Sequence, residues 1–251
     1  MSTVTSTDRV RLDQLLVETG AFASRSRARD AILRGTVRVG GARAEKPGQM
    51  VPRDAEIDLD DPARAYVSRA ALKLKAALGH FDLSPEGRIA LDVGASTGGF
   101  TQVLLEQGAA HVFAVDVGHG QMAERLAADR RVTNIEGLNA RDLAPALLGD
   151  ARPRFVVSDV SFISLKLALP PALALAAPGA EAVLLVKPQF EVGRERIGKG
   201  GLVAQADAER CAGDLADWFA GQPGWSVLGL CPSPIAGGDG NTEYLLAGRK
   251  A

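Results

Sequence analysis

Asp92-Val93-Gly94-Ala95-Ser96-Thr97-Gly98-Gly99-Phe100 is the stretch on which the fold of this chain turns. Gly94 lets the chain turn sharply out of an apolar strand, and Gly98-Gly99 lets a ligand approach the N-terminus of the next helix. Outward from it, Ile89–Val93, Val112–Val115, Phe155–Val157 and Ala182–Val186 read as strands alternating with helical segments. That alternation predicts a doubly wound α/β sheet with a ligand crevice at its carboxyl edge.

The glycines do not fit G-x-G-x-x-G, and no Lys follows the last of them, so neither a dinucleotide fingerprint nor an NTPase phosphate loop is the natural reading. The pattern suits a nucleoside ligand without a pyrophosphate. Asp116 ends the second strand 22 residues beyond Gly94 (116 − 94), the distance at which an acid accepts from ribose hydroxyls. As structure alone, the glycines could be only a strand-to-helix turn, and Asp116 and Asp142 only helix caps. The loop, the acid and the strands together resemble the class I methyltransferases. That resemblance implies a Rossmann-like α/β fold and S-adenosylmethionine as cofactor. It places Asp92, Gly94, Ser96, Thr97, Gly98, Gly99, Phe100 and Asp116 around the cofactor, with Asp142 of Asn139-Ala140-Arg141-Asp142-Leu143 beside its adenine. His119 reads as a loop residue.

Of the 251 residues, 46% are hydrophobic and 24% charged, an ordinary composition for a chain with a full core. Cys211 and Cys231 lack CxxC spacing and His80, His111 and His119 form no ligand cluster, so neither a disulfide scaffold nor a metal site is expected. Met1 to Asp8 is polar, without the pattern of a secretion signal, and the uncharged stretch between Lys166 and Glu181 is broken by Pro170, Pro171 and Pro178. A cytoplasmic protein without a membrane span is expected.

The net charge of −1 hides an asymmetry. Arg9 to Arg53 holds ten Lys/Arg against four acids, a net 10 − 4 = +6, and is followed by Asp54, Glu56, Asp58, Asp60 and Asp61. The change of composition predicts a small domain over residues 1–60, a linker over 61–66 and a larger domain over 67–251. In the small domain, Leu12, Leu15 and Leu16 share a helical face ending at Gly20, and a second helix runs from a Ser24 or Ser26 cap to Gly35. Val37-Arg38-Val39, Gly40-Gly41 and Ala42-Arg43-Ala44 read as a hairpin, and Glu56–Leu59 as a closing strand. The spacing of Arg11-Leu12-Asp13, Ser24-Arg25-Ser26-Arg27 and Gly35-x-Val37-x-Val39 resembles the αL-type RNA-binding domain first known from a small-subunit ribosomal protein. The resemblance implies a small α+β domain that binds structured RNA, with Arg11, Arg25, Arg27, Arg29 and Arg34 as its contacts. With 22 Arg to 7 Lys overall, a merely solvated arginine face is the plain alternative.

In so Arg-rich a chain, Lys73 and Lys187 draw notice, because Lys can be rendered neutral by burial and a nearby positive charge whereas Arg stays protonated. Lys187 follows the strand Val183–Val186, Asp159 follows Phe155–Val157, Glu243 opens a late antiparallel strand, and Lys73 lies in a helical segment over 66–74. Strand ends facing one crevice can converge. Lys, Asp, Lys and Glu in this order resemble the tetrad of FtsJ-like ribose 2′-O-methyltransferases. The words Ser68-Arg69-x-Ala71-x-Lys73-Leu74, Ser158-Asp159-Val160-Ser161-Phe162-Ile163-Ser164-Leu165, Val186-Lys187-Pro188-Gln189-Phe190-Glu191 and Gly240-Asn241-Thr242-Glu243, behind the basic front domain, closely resemble the TlyA family, also called hemolysin A. Ala70 departs from the Gly expected there.

The resemblance implies methyl transfer to cytidine riboses of ribosomal RNA. Lys187 would accept the proton or stabilise the nascent alkoxide, Asp159 would tune and position it, and Lys73 and Glu243 would orient the hydroxyl. The glycine- and charge-rich stretch after Pro188 reads either as a lid over the target nucleotide, with Phe190 as a stacking face, or as an exposed loop. Base methylation in the same crevice and a noncatalytic RNA-binding or assembly factor are the alternatives. Direct membrane lysis does not fit a chain without a spanning segment.

Overall fold

The computed structural model describes residues 8–251, so the polar run read above for the absence of a secretion signal lies, up to residue 7, outside the described residues. The chain divides into two compact units, one ending at Ala65 and one running from Tyr66 to Ala251.

The first unit comprises β1 (Arg9–Arg11), α1 (Leu12–Glu18), α2 (Arg25–Arg34), β2 (Val37–Val39), β3 (Ala42–Arg43), β4 (Met50–Pro52) and β5 (Ile57–Leu59). Leu12, Leu15 and Leu16 of α1 pack on Ala28, Ala31 and Ile32 of α2, the helical faces that the spacing predicts. The Ser24 side chain caps α2 by accepting from the Arg27 amide, and Gly35 ends it in the left-handed conformation. Gly40 and Gly41 both take positive φ, +55° and +77°, the turn whose twist matches a two-residue hairpin. β5 closes the sheet on β2, opposite β3. A ladder of β1 on β4 was not readable in the sequence, because three-residue strands carry too few positions to show a period.

The second unit contains α3 (Ala70–Phe81), β6 (Ile89–Val93), α4 (Gly99–Glu106), β7 (His111–Val115), α5 (Glu124–Ala127), β8 (Val132–Ile135), β9 (Phe155–Ser158), α6 (Leu165–Ala168), α7 (Pro170–Leu175), β10 (Glu181–Val186), α8 (Gln205–Ala220), β11 (Trp225–Pro232) and β12 (Tyr244–Lys250). Among the described residues these strands form a seven-stranded sheet in the order β11-β12-β10-β9-β6-β7-β8. β6 to β10 run parallel and β12 is antiparallel to both its neighbours. All six residues of β10 are buried, as a central strand covered on both faces requires. The helical segment expected from residue 66 begins only at Ala70.

From β6 the chain proceeds outward through β7 to β8, then returns to pair β9 on the other side of β6. The carboxyl ends of β6 and β9 therefore diverge at a switch point, where open α/β sheets bind ligands. Among the described residues no helix is long and apolar enough to cross a membrane, and no group of three or more His, Cys, Asp or Glu could hold a metal ion.

Candidate active site

A cavity of about 500 Å³ opens at this switch point, a size typical of small-molecule sites. Gly94 and Ser96 line it from the loop after β6, Asp116 and Gln121 from beyond β7, and Asp159 to Ile163 from beyond β9. A smaller cavity of about 70 Å³ shares Gly94, Ser96 and Asp159 and is lined also by Ser68, Ala70, Thr97, Gly99 and Phe100 at the start of α4. Gly94 has φ +86°, and a Cβ there would stand 2.9 Å from the Val160 amide nitrogen, so glycine lets the loops after β6 and β9 come together. Gly99 does the same for α3: its missing Cβ would lie 2.9 Å from the Ser68 Cβ and 3.4 Å from the Ala70 Cβ. The methyl of Ala70, where the family resemblance called for Gly, is accommodated in that space.

Asp116 ties two loops together. One carboxylate oxygen accepts from the Ser96 amide at 2.8 Å and the other from the Gly118 amide at 2.7 Å. Each oxygen keeps a lone pair for a further donor. Ser96 itself is held at φ +47°, a conformation that costs a side-chain-bearing residue free energy and is tolerated where the surroundings fix it. Asn139, rather than Asp142, reaches the cavity: Leu138, Asn139 and Ala140 line it, whereas Asp142 is exposed and outside its lining. Gly98 packs against Leu126 and Met122 and serves as the positive-φ residue preceding α4.

Asp92 lies beneath the loop, fully buried. Its Oδ2 accepts from the Thr101 hydroxyl at 2.7 Å, and its Oδ1 has no hydrogen-bond partner among the described residues. Burial pushes its carboxyl up to about 7, the Thr101 hydrogen bond opposing the rise and the nearby Asp159 charge adding to it. A carboxyl whose folded value lies above its unfolded one stabilises the fold most at low pH and loses that contribution as pH rises from 3.8 to about 7. Asp92→Asn is therefore expected to flatten the stability profile. Subtracting the variant's denaturation curves from those of the wild type should leave a fall on the order of 4 kcal/mol across that window, and parallel curves would show the buried acid to be unlinked.

The four residues of the tetrad come to one edge of the sheet. Asp159 follows β9, Lys187 follows β10, and Glu243 precedes β12, whose Tyr244 stands opposite Val186 in the antiparallel register. Lys187 Nζ lies 2.7 Å from Asp159 Oδ1 as an ion pair and donates to the Asp159 carbonyl at 3.2 Å and the Ser161 hydroxyl at 2.7 Å. The Asp159 contact is ionic and lacks the alignment of a hydrogen bond. Lys73, on α3 one turn beyond Ala70, forms a buried salt bridge with Glu243. The tetrad is thus two ion pairs. Asp159 belongs to the wall of both cavities, while Lys73, Lys187 and Glu243 line neither.

Phe162, 89% exposed, stands in the cavity wall at φ +64° with its ring 4.9 Å from the Phe190 ring. Sequence reasoning singled out Phe190 and passed over Phe162, whose backbone strain has no signature in residue type. The stretch after Pro188 is largely exposed from Gly193 to Gly200. It forms short turns at Arg194–Arg196 and Lys199–Gly201, and buried Asn241 fastens it by accepting from the Val203 amide at 2.8 Å and donating to the Gly201 carbonyl at 2.9 Å.

In the first unit, the five arginines expected on an RNA face are used unequally. Arg11 and Arg25 share the buried carboxylate of Asp13, both at 3.0 Å, and the Arg11 hydrogen bond holds that acid below its ordinary value against the cost of burial. Arg34 is held by Asp30 and Asp61, Arg27 donates to the Ala63 carbonyl, and Arg29 is exposed.

The sequence model described as FtsJ-like methyltransferase matches residues 66–250, and that of the S4 domain matches residues 10–57. The chain is 45% identical over 239 residues to the 16S/23S rRNA (cytidine-2′-O)-methyltransferase TlyA of Mycobacterium tuberculosis, covering 95% of this chain and 89% of that one. It is 39% identical to Hemolysin A of Brachyspira hyodysenteriae, covering 94% and 98%. A solved structure from Streptococcus thermophilus, provisionally assigned as a hemolysin, superposes with a TM-score of 0.76 at 41% identity, covering 98% of this chain and 90% of that one. The glycine loop at a sheet switch point, the two Lys–acid pairs at its carboxyl edge and similarity along nearly the whole chain lead to one conclusion: the chain belongs to the TlyA, or hemolysin A, family of FtsJ-like methyltransferases.

Proposed function

We propose that this protein transfers a methyl group from S-adenosylmethionine to a ribose 2′-hydroxyl of ribosomal RNA, at cytidine. The observation that carries the reading is Asp159, in the wall of the cavity beside Gly94 and ion-paired with Lys187 directly behind it. The residues present suit the cofactor. Asp116 has lone pairs for ribose hydroxyls, and Asn139 offers an amide at the nucleoside end, the place first expected for Asp142. The unpartnered Asp92 Oδ1 and the N-terminus of α4 provide polarity of both signs beneath and beside the glycine loop. Bound there, the cofactor supplies a methyl carbon on a sulfonium, open to in-line displacement.

The chain's own part is to hold the hydroxyl and manage its proton. Lys187 stands among three oxygens, fixed by Asp159 and Ser161; as the ammonium of that ion pair its Nζ would stabilise the nascent alkoxide as the new O–C bond forms and the S–C bond breaks, and it would take the hydroxyl proton only after giving up its own. Lys73 and Glu243, adjacent along the sheet edge, shape the field around that oxygen. Phe162 presents an exposed ring on which an unstacked base can lie. The unit ending at Ala65 is the RNA-gripping module, with exposed Arg29 as its freest contact among the five predicted, and the unit from Tyr66 is the catalytic one.

Incubation with radiolabelled cofactor and unmodified ribosomal subunits, followed by alkaline mapping, tests the proposal. Label at a ribose whose adjacent phosphodiester resists alkali is expected. Label at an alkali-sensitive position would instead establish base methylation, and binding without transfer a noncatalytic RNA-binding factor.

A further inference from the structure

Phe162 poses a question of free energy. An L-residue is held in the left-handed region only at a cost in free energy. A residue 89% exposed returns little of that by burial. The conformation must be imposed by what grips the turn on either side. At its first end, the Ser161 hydroxyl accepts from Lys187 Nζ at 2.7 Å. At its far end, Glu191 accepts from the Ser164 hydroxyl at 2.6 Å with one carboxylate oxygen and from the Leu165 amide at 2.7 Å with the other. Both grips come from one short piece of chain, since Lys187 and Glu191 bracket the turn Pro188–Phe190 that follows β10. Between them the Phe190 ring lies against Phe162.

We propose that Glu191 is a positioning residue for methyl transfer. By clasping Ser164 and Leu165 it keeps the 161–164 turn in its left-handed form, and so holds the Ser161 hydroxyl on Lys187 and the Phe162 ring in the cavity wall. The inference rests on the methyl-transfer reading. Glu191 lines neither cavity of the site and acts through the turn. Its carboxylate is well placed for this. It is largely removed from solvent, and burial raises its carboxyl above the ordinary value, with the Ser164 and Leu165 hydrogen bonds offsetting part of that cost. A carboxylate spanning two donors at the start of α6 is also worth more there than in water. Without it, the far side keeps the packing of Ile163 and Leu165 but loses its polar clasp, and relaxation of Phe162 toward the right-handed region would swing Ser161 off Lys187.

Glu191→Ala and Glu191→Gln distinguish this from ordinary packing. A misplacement of about 1 Å can cost as much as 100-fold in rate, so Glu191→Ala is expected to lower kcat on unmodified ribosomal subunits about 30-fold. KM for the RNA and the calorimetric Kd for S-adenosylmethionine should stay within about threefold of the wild type, because the cavity's other walls remain. Hydrogen exchange of the Leu165 amide should speed up at least about tenfold while the amides of β9 are unchanged. Gln retains an acceptor for the Leu165 amide and a group for the Ser164 hydroxyl, and is expected to restore kcat to within about threefold of wild type. Should Glu191→Ala fail to fold, Ser164→Ala removes half of the clasp from the other side and should lower kcat in the same direction by a smaller factor.

An unchanged kcat in Glu191→Ala despite faster Leu165 exchange overturns the proposal. So does a uniform rise in exchange through β9, or a Gln variant as slow as the Ala variant. Lys187→Ala measured in parallel separates the two claims. If it retains transfer, the catalytic reading itself is wrong; if it loses transfer while Glu191→Ala keeps its kcat, only the clasp is.

Discussion

Lys187→Ala is expected to lower methyl transfer to ribosomal RNA about 1,000-fold, the middle of the range for a positioned proton acceptor or charge stabiliser, with cofactor and RNA affinities nearly unchanged. The side chain is mostly enclosed, 11% exposed, and its amine meets the Asp159 carboxylate, the Asp159 carbonyl and the Ser161 hydroxyl. Truncation would remove the amine proposed to meet the nascent alkoxide and leave Asp159, 18% exposed, without its cation. Lys187→Arg separates the two roles open to the lysine. A guanidinium keeps the positive charge and does not act as a base, so partial activity in the Arg variant assigns alkoxide stabilisation, while loss equal to that of Ala assigns proton removal. Transfer by Lys187→Ala at wild-type rate would remove the residue from the mechanism. Single-turnover kinetics with labelled cofactor reads the chemical step directly.

The second large effect is expected on stability. Lys73 and Glu243 are 5% and 3% exposed and satisfy each other across 170 positions of sequence. Breaking a buried pair by removing one partner leaves an uncompensated charge, at a cost of about 3–5 kcal/mol. Lys73→Met should therefore lower the unfolding free energy by that amount in urea titrations. The double variant Lys73→Met with Glu243→Leu removes both charges and should recover most of the loss, since an apolar pair of similar volume is often no less stable. If the pair serves the chemistry, the double variant stays inactive though well folded. Recovery of both fold and transfer would make the pair purely structural, and a stable single variant would contradict the cost assigned to its burial.

Much of the fold could be read along the chain because its signals are local. The apolar runs that became β6, β7, β9 and β10, the Ser24 cap and Gly35 stop of α2, and the paired glycines of the hairpin each depend on a few neighbouring residues. β1, β4 and β8, of three or four residues, escaped notice, and so did β11, a mostly exposed edge strand whose register shifts between Val227 and Gly229. At the site, spacing singled out Asp116 and the glycine loop, and Gly94, Ser96 and Asp116 line the larger cavity. Asp142 is the adenine neighbour that the resemblance implies, yet Asn139 lines the cavity and Asp142 is exposed outside that lining. In a turn, which of two residues three apart faces inward depends on backbone dihedrals that composition does not encode.

By itself, the sequence determined the class of fold, the two-part organisation of charge and the residue types available for chemistry, because period, turn residues and composition are properties of contiguous chain. Only the tertiary structure decided who partners whom: Lys187 with Asp159, Lys73 with Glu243, Glu191 with Ser164, and Arg11 and Arg25 with one buried Asp13. These pairings depend on strand order and register, which bring distant positions within a few ångströms. Their strength depends on burial, which removes the competing water, and both are set by the packed sheet rather than by any local stretch.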